Sequence, residues 1–285
     1  PNFNGLDSLL FNAVSKKFSS IDHFFDRPNN FFFKIILRLK IPIISSLLTN
    51  LYYKSIYKSF KNTYDVALII NPEALPKEYL NKIMDISCKT IIYFWDGSVT
   101  KPSINSYSNI KNLHCYSFDK NDCSNLGFTY LPLFIPEDNN ISTTEHSKTI
   151  DICFIASCHN QRLLLANELN KLCNLYGFKY MIRLSAPSFL HFIYFNLIAI
   201  FKKYKIKVAY STLPHEKYIE FISKSKVIVD ITSDSNQSGV SLRSFEALGR
   251  GCKLLTNNQA IKQENYYNEN LISFFCDLPS IKDID

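Results

Sequence analysis

Val229-Asp230-Ile231-Thr232-Ser233-Asp234-Ser235-Asn236-Gln237-Ser238-Gly239-Val240-Ser241-Leu242-Arg243-Ser244-Phe245-Glu246-Ala247-Leu248-Gly249-Arg250-Gly251 reads as a strand, a loop and a helix in that order. The β-branched run Val227 to Ile231 suits a buried strand. Thr232 to Ser238 contains no large apolar residue and suits a loop. A helix begins near Gly239, runs over Leu242 to Arg250 and stops at Gly251. Its start offers free backbone N–H groups and a positive dipole end, which suit an anion such as a diphosphate. Arg243 and Glu246 stand three apart and share a helix face. Arg243 suits phosphate, and the Glu246 carboxylate suits a pair of sugar hydroxyls.

Outward from this stretch the same rhythm repeats. Strands are expected over Ile150 to Ala156, Phe178 to Leu184, Ile206 to Tyr210, Lys253 to Thr256 and Leu271 to Phe275. Helices are expected over Gln161 to Leu175, Phe189 to Lys203 and Tyr218 to Ser225. Towards the amino end, helices are expected over Leu6 to Lys17 and Pro76 to Ile86, and a long helical region over Phe31 to Phe60, bent by Pro42. Strands are expected over Ile21 to Phe25, Asp65 to Ile70, Thr90 to Trp95, Leu113 to Ser117 and Thr129 to Leu133. Strand-helix alternation means α/β architecture, with parallel sheets and helices on both faces. The polar stretch Pro136 to Lys148 separates two domains, residues 1–138 and 149–285. Leu6 to Lys17 resembles the helix that follows a first strand, so a strand is expected to have preceded it.

The 285 residues are 46% hydrophobic and 20% charged, a globular and not a disordered composition. The net charge of +7 suits anionic partners, although nucleic acid is not expected. The eight cysteines include no C-x-x-C pair, and most lie in apolar runs. They read as reduced thiols of a cytoplasmic protein, with no zinc site. Phe189 to Phe201 is the longest greasy stretch and is too short to cross a ~30 Å hydrocarbon core.

Other groups suit chemistry. Ser157-Cys158-His159-Asn160-Gln161-Arg162 joins a strand to a helix. Its small residues allow close backbone approach, and Arg162 suits a departing diphosphate. It is not the dinucleotide fingerprint G-x-G-x-x-G. Asp96 ends a first-domain strand, where an acid faces the crevice and can act as general base. Tyr210 opens a loop where it could stack on a nucleoside base. The one literal Asp-x-Asp, Asp283-Ile284-Asp285, is terminal, and no metal is expected. Phe31 to Tyr64 and Phe178 to His215 carry only basic charges among apolar and aromatic residues, which suits an anionic membrane surface.

The segment Ser238 to Gly251, followed by Thr256, resembles the donor-binding segment of GT-B glycosyltransferases, particularly the bacterial lipopolysaccharide, O-antigen and capsule enzymes. Tyr93-Phe94-Trp95-Asp96, Tyr116-Ser117-Phe118-Asp119 and Ile152 to Ser157 stand where that group has similar blocks. The resemblance implies two Rossmann-like domains facing a cleft and metal-independent transfer from a nucleotide-sugar, with no other cofactor. It implies donor binding by Ser157, His159, Arg162, Tyr210, Asn236, Gln237, Ser238, Gly239, Arg243 and Glu246, with Asp96 and Glu246 catalytic. Many retaining members carry Glu-x7-Glu; here the first place holds Ser238, and Glu246 holds the second. The implied acceptor is a glycan or lipid-linked saccharide, used in the cytoplasm or at the inner face of the cytoplasmic membrane. A nucleotide-sugar epimerase and a non-catalytic scaffold on the same fold remain alternatives.

Overall fold

A computed structural model describes residues 6–28, 42–134, 148–232 and 238–275. The chain divides into two compact units, Pro1–Pro132 and Leu133–Asp285. The expected interdomain stretch lies, apart from Lys148, outside the described residues. So do Lys34, Arg38 and Lys40 of the first basic stretch, Cys276, and Asp283 and Asp285.

The first unit opens with α1 (Leu6–Ser15) and α2 (Pro42–Tyr57). Its sheet follows as β1 (Tyr64–Ile70), α3 (Lys77–Asp85), β2 (Ser87–Phe94), β3 (Leu113–Ser117), α4 (Lys120–Leu126) and β4 (Thr129–Tyr130). The strands lie in the order β1-β2-β3-β4, all parallel. Ile92 and Phe94 of β2 are buried with Leu80 of α3, Ile104 and Phe128. Sequence periodicity missed α4 because it is short and polar. Its start is fixed instead by Asp119, whose carboxylate accepts from the Asn121 and Asp122 N–H groups.

One local expectation changes here. Ile21 to Phe25 forms no strand: the segment has side-chain partners and, among the described residues, no sheet neighbour. The Tyr52 hydroxyl donates to the Phe25 carbonyl, and Asp26 accepts from Tyr53 Oη and from the Glu73 and Ala74 N–H groups. Of the expected helical region Phe31 to Phe60, α2 covers Pro42 to Tyr57, and the part before Pro42, with the expected bend, lies outside the described residues.

The second unit comprises β5 (Ile150–Ser157), α5 (Asn160–Tyr176), β6 (Tyr180–Ser185), α6 (Phe189–Phe201), β7 (Val208–Ala209), α7 (His215–Ser223), β8 (Ser225–Asp230), α8 (Leu242–Gly249), β9 (Lys253–Thr256) and β10 (Ile272–Phe274). The strands are parallel, in the order β10-β9-β8-β5-β6-β7. Alternation along β5 explains why both faces are covered. Ile152, Phe154 and Ala156 pack with Leu163, Ala166 and Leu169 of α5 and Phe195 of α6. Cys153 and Ile155 point the other way, to Ile222 of α7 and Ala247 of α8. Such burial is worth about 1.5–3 kcal/mol for a side chain like Phe154.

This order runs outward in two directions from β5 and β8. The chain winds to one side through β6 and β7, then returns to continue through β8, β9 and β10. The reversal opens a crevice at the carboxyl ends of β5 and β8, the usual place for a ligand in such a sheet.

Candidate functional site

Two connections leave the sheet at that reversal: Cys158-His159 after β5, and the loop after β8, of which Ile231, Thr232 and Ser238 to Ser241 are described. The helix after β8 starts at Leu242 and not near Gly239. Ser241 sets this start, because its hydroxyl accepts from the Ser244 N–H while its own backbone stays extended. At the other end Gly251 adopts φ 63°, and the Cys252 N–H reaches back to the Ala247 carbonyl, which closes α8.

Asp230 ends β8 with 1% of its surface exposed. It accepts from Arg243 Nη1 at 2.6 Å, from Ser244 Oγ at 3.0 Å and from the Ser241 hydroxyl. Burial raises its pKa, but Arg243, the two hydroxyls and Arg162 outweigh burial and hold the carboxylate below its ordinary range. Burial opposes the charge of Arg243, yet Asp230 leads a set of anionic neighbours that raise its pKa. Arg243 is therefore paired within the protein, with Nε buried and lacking a hydrogen-bond partner among the described residues.

Arg162 joins the two loops. Its Nη1 donates to the Ser157 carbonyl at 3.2 Å and its Nη2 to the Ile231 carbonyl at 2.8 Å, while Nε is buried without a partner among the described residues. Burial lowers its pKa to about 10, and the like charge of Arg243 adds to the effect. Two guanidiniums thus stand near one carboxylate. His159 caps α5 through its backbone alone, and its Nε2 is buried and without a partner among the described residues. Burial, then Arg162, lowers its pKa to about 4, so the imidazole is neutral at pH 7.

Glu246 is buried on α8 and accepts a hydrogen bond from the Tyr218 hydroxyl of α7. Burial raises its pKa, and the Tyr218 bond and Arg243 offset part of the rise. The loops are tied further by Asn257, which accepts from the Thr232 N–H at 2.9 Å, and by Asn258, whose Nδ2 donates to the Gly239 carbonyl at 3.0 Å.

The fold therefore brings Ser157, His159, Arg162, Ser238, Gly239, Arg243 and Glu246 to the β5 and β8 ends of one sheet or to the helices that follow. Asn236 and Gln237 lie outside the described residues. Tyr210 sits beyond β7, two strands from β5, exposed and in edge contact with the Phe189 and Phe192 rings. Asp96 belongs to the first unit. It follows β2, accepts from Asn71 Nδ2 at 2.8 Å and lies 3.7 Å from Lys101 Nζ. Sequence reasoning passed over Asp230, Tyr218, Asn71, Asn257 and Asn258. Only Asp230 carried a signal: an acid at the end of a buried β-branched run needs a cation, and Arg243 stands on the next helix. Among the described residues, no group of three or more His, Cys, Asp or Glu is placed to hold a metal ion.

Residues 195–283 match the family model described as glycosyl transferase-like. That span runs from within α6 past β10 and contains Tyr218, Asp230, Arg243 and Glu246, but not Ser157 to Arg162. No curated protein matches the sequence. Among solved structures the chain is similar to a protein assigned as a UDP-N-acetylglucosamine 2-epimerase from Listeria monocytogenes, at 12% identity and TM-score 0.39, over 77% of this chain and 64% of that one. It is also similar to the catalytic domain of starch synthase IV from Arabidopsis thaliana bound to ADP and acarbose, at 8% identity and TM-score 0.47, over 84% and 67%. The chain spans about two thirds of the length of each.

Proposed function

We propose that this chain is a GT-B glycosyltransferase that moves a sugar from a nucleotide-sugar to a bacterial surface-polysaccharide acceptor of the lipopolysaccharide, O-antigen or capsule kind. The observation that carries this reading is the pair Arg162 and Arg243 at the reversal of the second sheet, with a glycosyltransferase-like match over the latter. Their buried Nε atoms, without a hydrogen-bond partner among the described residues, and the start of α5 supply fixed positive potential for a diphosphate. A guanidinium already oriented by Asp230 or by backbone carbonyls needs no rearrangement as phosphate leaves, which favours the transition state. In this reading Glu246 accepts donor hydroxyls, Ser157, His159, Ser238 and Gly239 line the approach, Asn236 and Gln237 are assigned to the donor from the sequence resemblance, and Tyr210 meets the base. Asp96, oriented by Asn71, takes the proton of the acceptor hydroxyl. No metal is required in this scheme, because the guanidiniums supply the countercharge. The acceptor is glycan or lipid-linked, and the protein works at the inner, anionic face of the cytoplasmic membrane.

A thermal-shift panel of nucleoside diphosphates tests the donor half, since a ligand of the native state raises its apparent stability. Stabilisation by one nucleotide, lost in Arg162→Met, is expected. No stabilisation by any nucleotide would remove the donor site. Nucleotide release only with a glycan acceptor separates transfer from epimerisation, which needs donor alone.

A further inference from the structure

The helix α6 has two apolar faces, and the sheet uses only one. Phe195 and Ala199 are buried, with Phe192 and Ile198 packed beside them. On the opposite face Leu190, Ile193, Tyr194, Leu197, Ile200 and Phe201 are exposed, with Phe201 at 83% and Leu190 at 76%. At about 100° per residue these positions fall on one continuous stripe. Single exposed leucines are ordinary, but a contiguous apolar stripe marks an interaction surface.

The charges beside the stripe choose the occupant. Lys202, Lys203, Lys205 and Lys207 follow directly and are all exposed, and no acid occurs from Phe178 to His215. On the adjoining α5, Glu168 is held by Lys171 at 2.8 Å. Protein-protein interfaces are depleted in lysine, whereas an apolar helix face flanked by lysines suits anionic lipid headgroups. The helix is 13 residues long, about 20 Å at 1.5 Å per residue, too short to cross a ~30 Å hydrocarbon core. No described helix is long and apolar enough to cross a membrane.

We infer that α6 lies in the plane of an anionic membrane surface, its stripe sunk into the boundary between headgroups and acyl chains and its following lysines on the headgroups. This deepens the membrane part of the proposed function and assigns it to one helix of the second unit. The lysines steer the approach, and the apolar stripe supplies the adhesion that survives moderate salt.

The test is flotation with phosphatidylcholine vesicles, with and without phosphatidylglycerol, on the full chain. Wild type is expected to float with the anionic vesicles. The variant Leu197→Glu/Phe201→Glu should lower its partition at least ~100-fold. The variant Lys202→Gln/Lys203→Gln should lower it roughly fivefold per lysine on anionic vesicles alone. Both substituted pairs are exposed, and circular dichroism checks that each variant is folded. Absence of wild-type binding at low salt would overturn the inference, as would variants that bind like wild type. A vesicle-independent dimer in sedimentation velocity, dissolved by Leu197→Glu/Phe201→Glu, would overturn it in favour of a contact between copies. Nucleotide thermal shifts on the same variants should be unchanged, which keeps a failure of the membrane seat distinct from a failure of the donor site.

Discussion

Arg243, in the first turn of α8, donates to Asp230, the last residue of β8, across 2.6 Å. The pair fixes the helix against the strand that precedes it and spans the loop between them. Because Asp230 is buried, its removal leaves a guanidinium uncompensated. Asp230→Asn is expected to cost about 3–5 kcal/mol in urea unfolding at neutral pH, and Asp230→Leu/Arg243→Met to recover much of it. The folded pKa of Asp230 lies below the ~3.9 of a free aspartate, so its contribution is complete above that value and is lost as pH falls through the folded pKa. A single-variant cost near zero would show that the pair adds nothing to the fold.

Glu246 shows the opposite sign. Burial raises its folded pKa above the unfolded value, so its contribution is complete below ~4.3 and is lost as pH rises through the folded pKa. Glu246→Gln keeps an acceptor for the Tyr218 hydroxyl and removes that loss. The expected result is stability at pH 7 equal to or above wild type, with nucleotide-sugar affinity weaker by roughly 1.5–3 kcal/mol. Calorimetric titration measures the affinity, and an unchanged value would exclude Glu246 from the donor site.

For His159 the folded pKa of about 4 lies below the ~6.5 of a free imidazole. The unfolded chain therefore binds more protons between these values, and stability rises with pH across that window. His159→Gln should flatten this part of the profile. Imidazole carbon shifts should show no titration of His159 near pH 6.5; a midpoint there would mean that the ring is solvated.

Asp96→Asn retains an acceptor for Asn71 Nδ2 and removes the basicity. Nucleotide binding is expected within about twofold of wild type and transfer lowered at least ~10². Wild-type turnover would exclude Asp96 as the base. Asn71→Leu should act in the same direction through position alone, because the buried Asn71 side chain spans the ends of β1 and β2. Its effect should appear in kcat without shifting the pH profile.

Much of the fold is legible in residue order. The runs Ile150 to Ala156 and Val227 to Ile231, and the apolar spacing of Leu163, Ala166 and Leu169, declare strands and helices because periods of two and 3.6 report burial locally. Where side-chain partners decide, periodicity fails. Ile21 to Phe25 looks like a strand but is held by Tyr52 and its neighbours, and α4 is fixed by the Asp119 cap and not by an apolar face.

Residue order alone declares the α/β class, the presence of Arg162, Arg243 and Glu246 near helix starts, and the basic, apolar character of Phe178 to His215. Tertiary structure decided which groups meet. Sheet order sets β5 beside β8, so Arg162 reaches the Ile231 carbonyl 69 positions away, and α7 beside α8, so Tyr218 meets Glu246 28 positions away. It also decided that Arg243 answers to Asp230 and that half of α6 is left uncovered. Local periodicity states that a side chain wants burial or a charge wants a partner. Only the packing of distant elements states which partner it gets, because that depends on the order of the strands and not on distance along the chain.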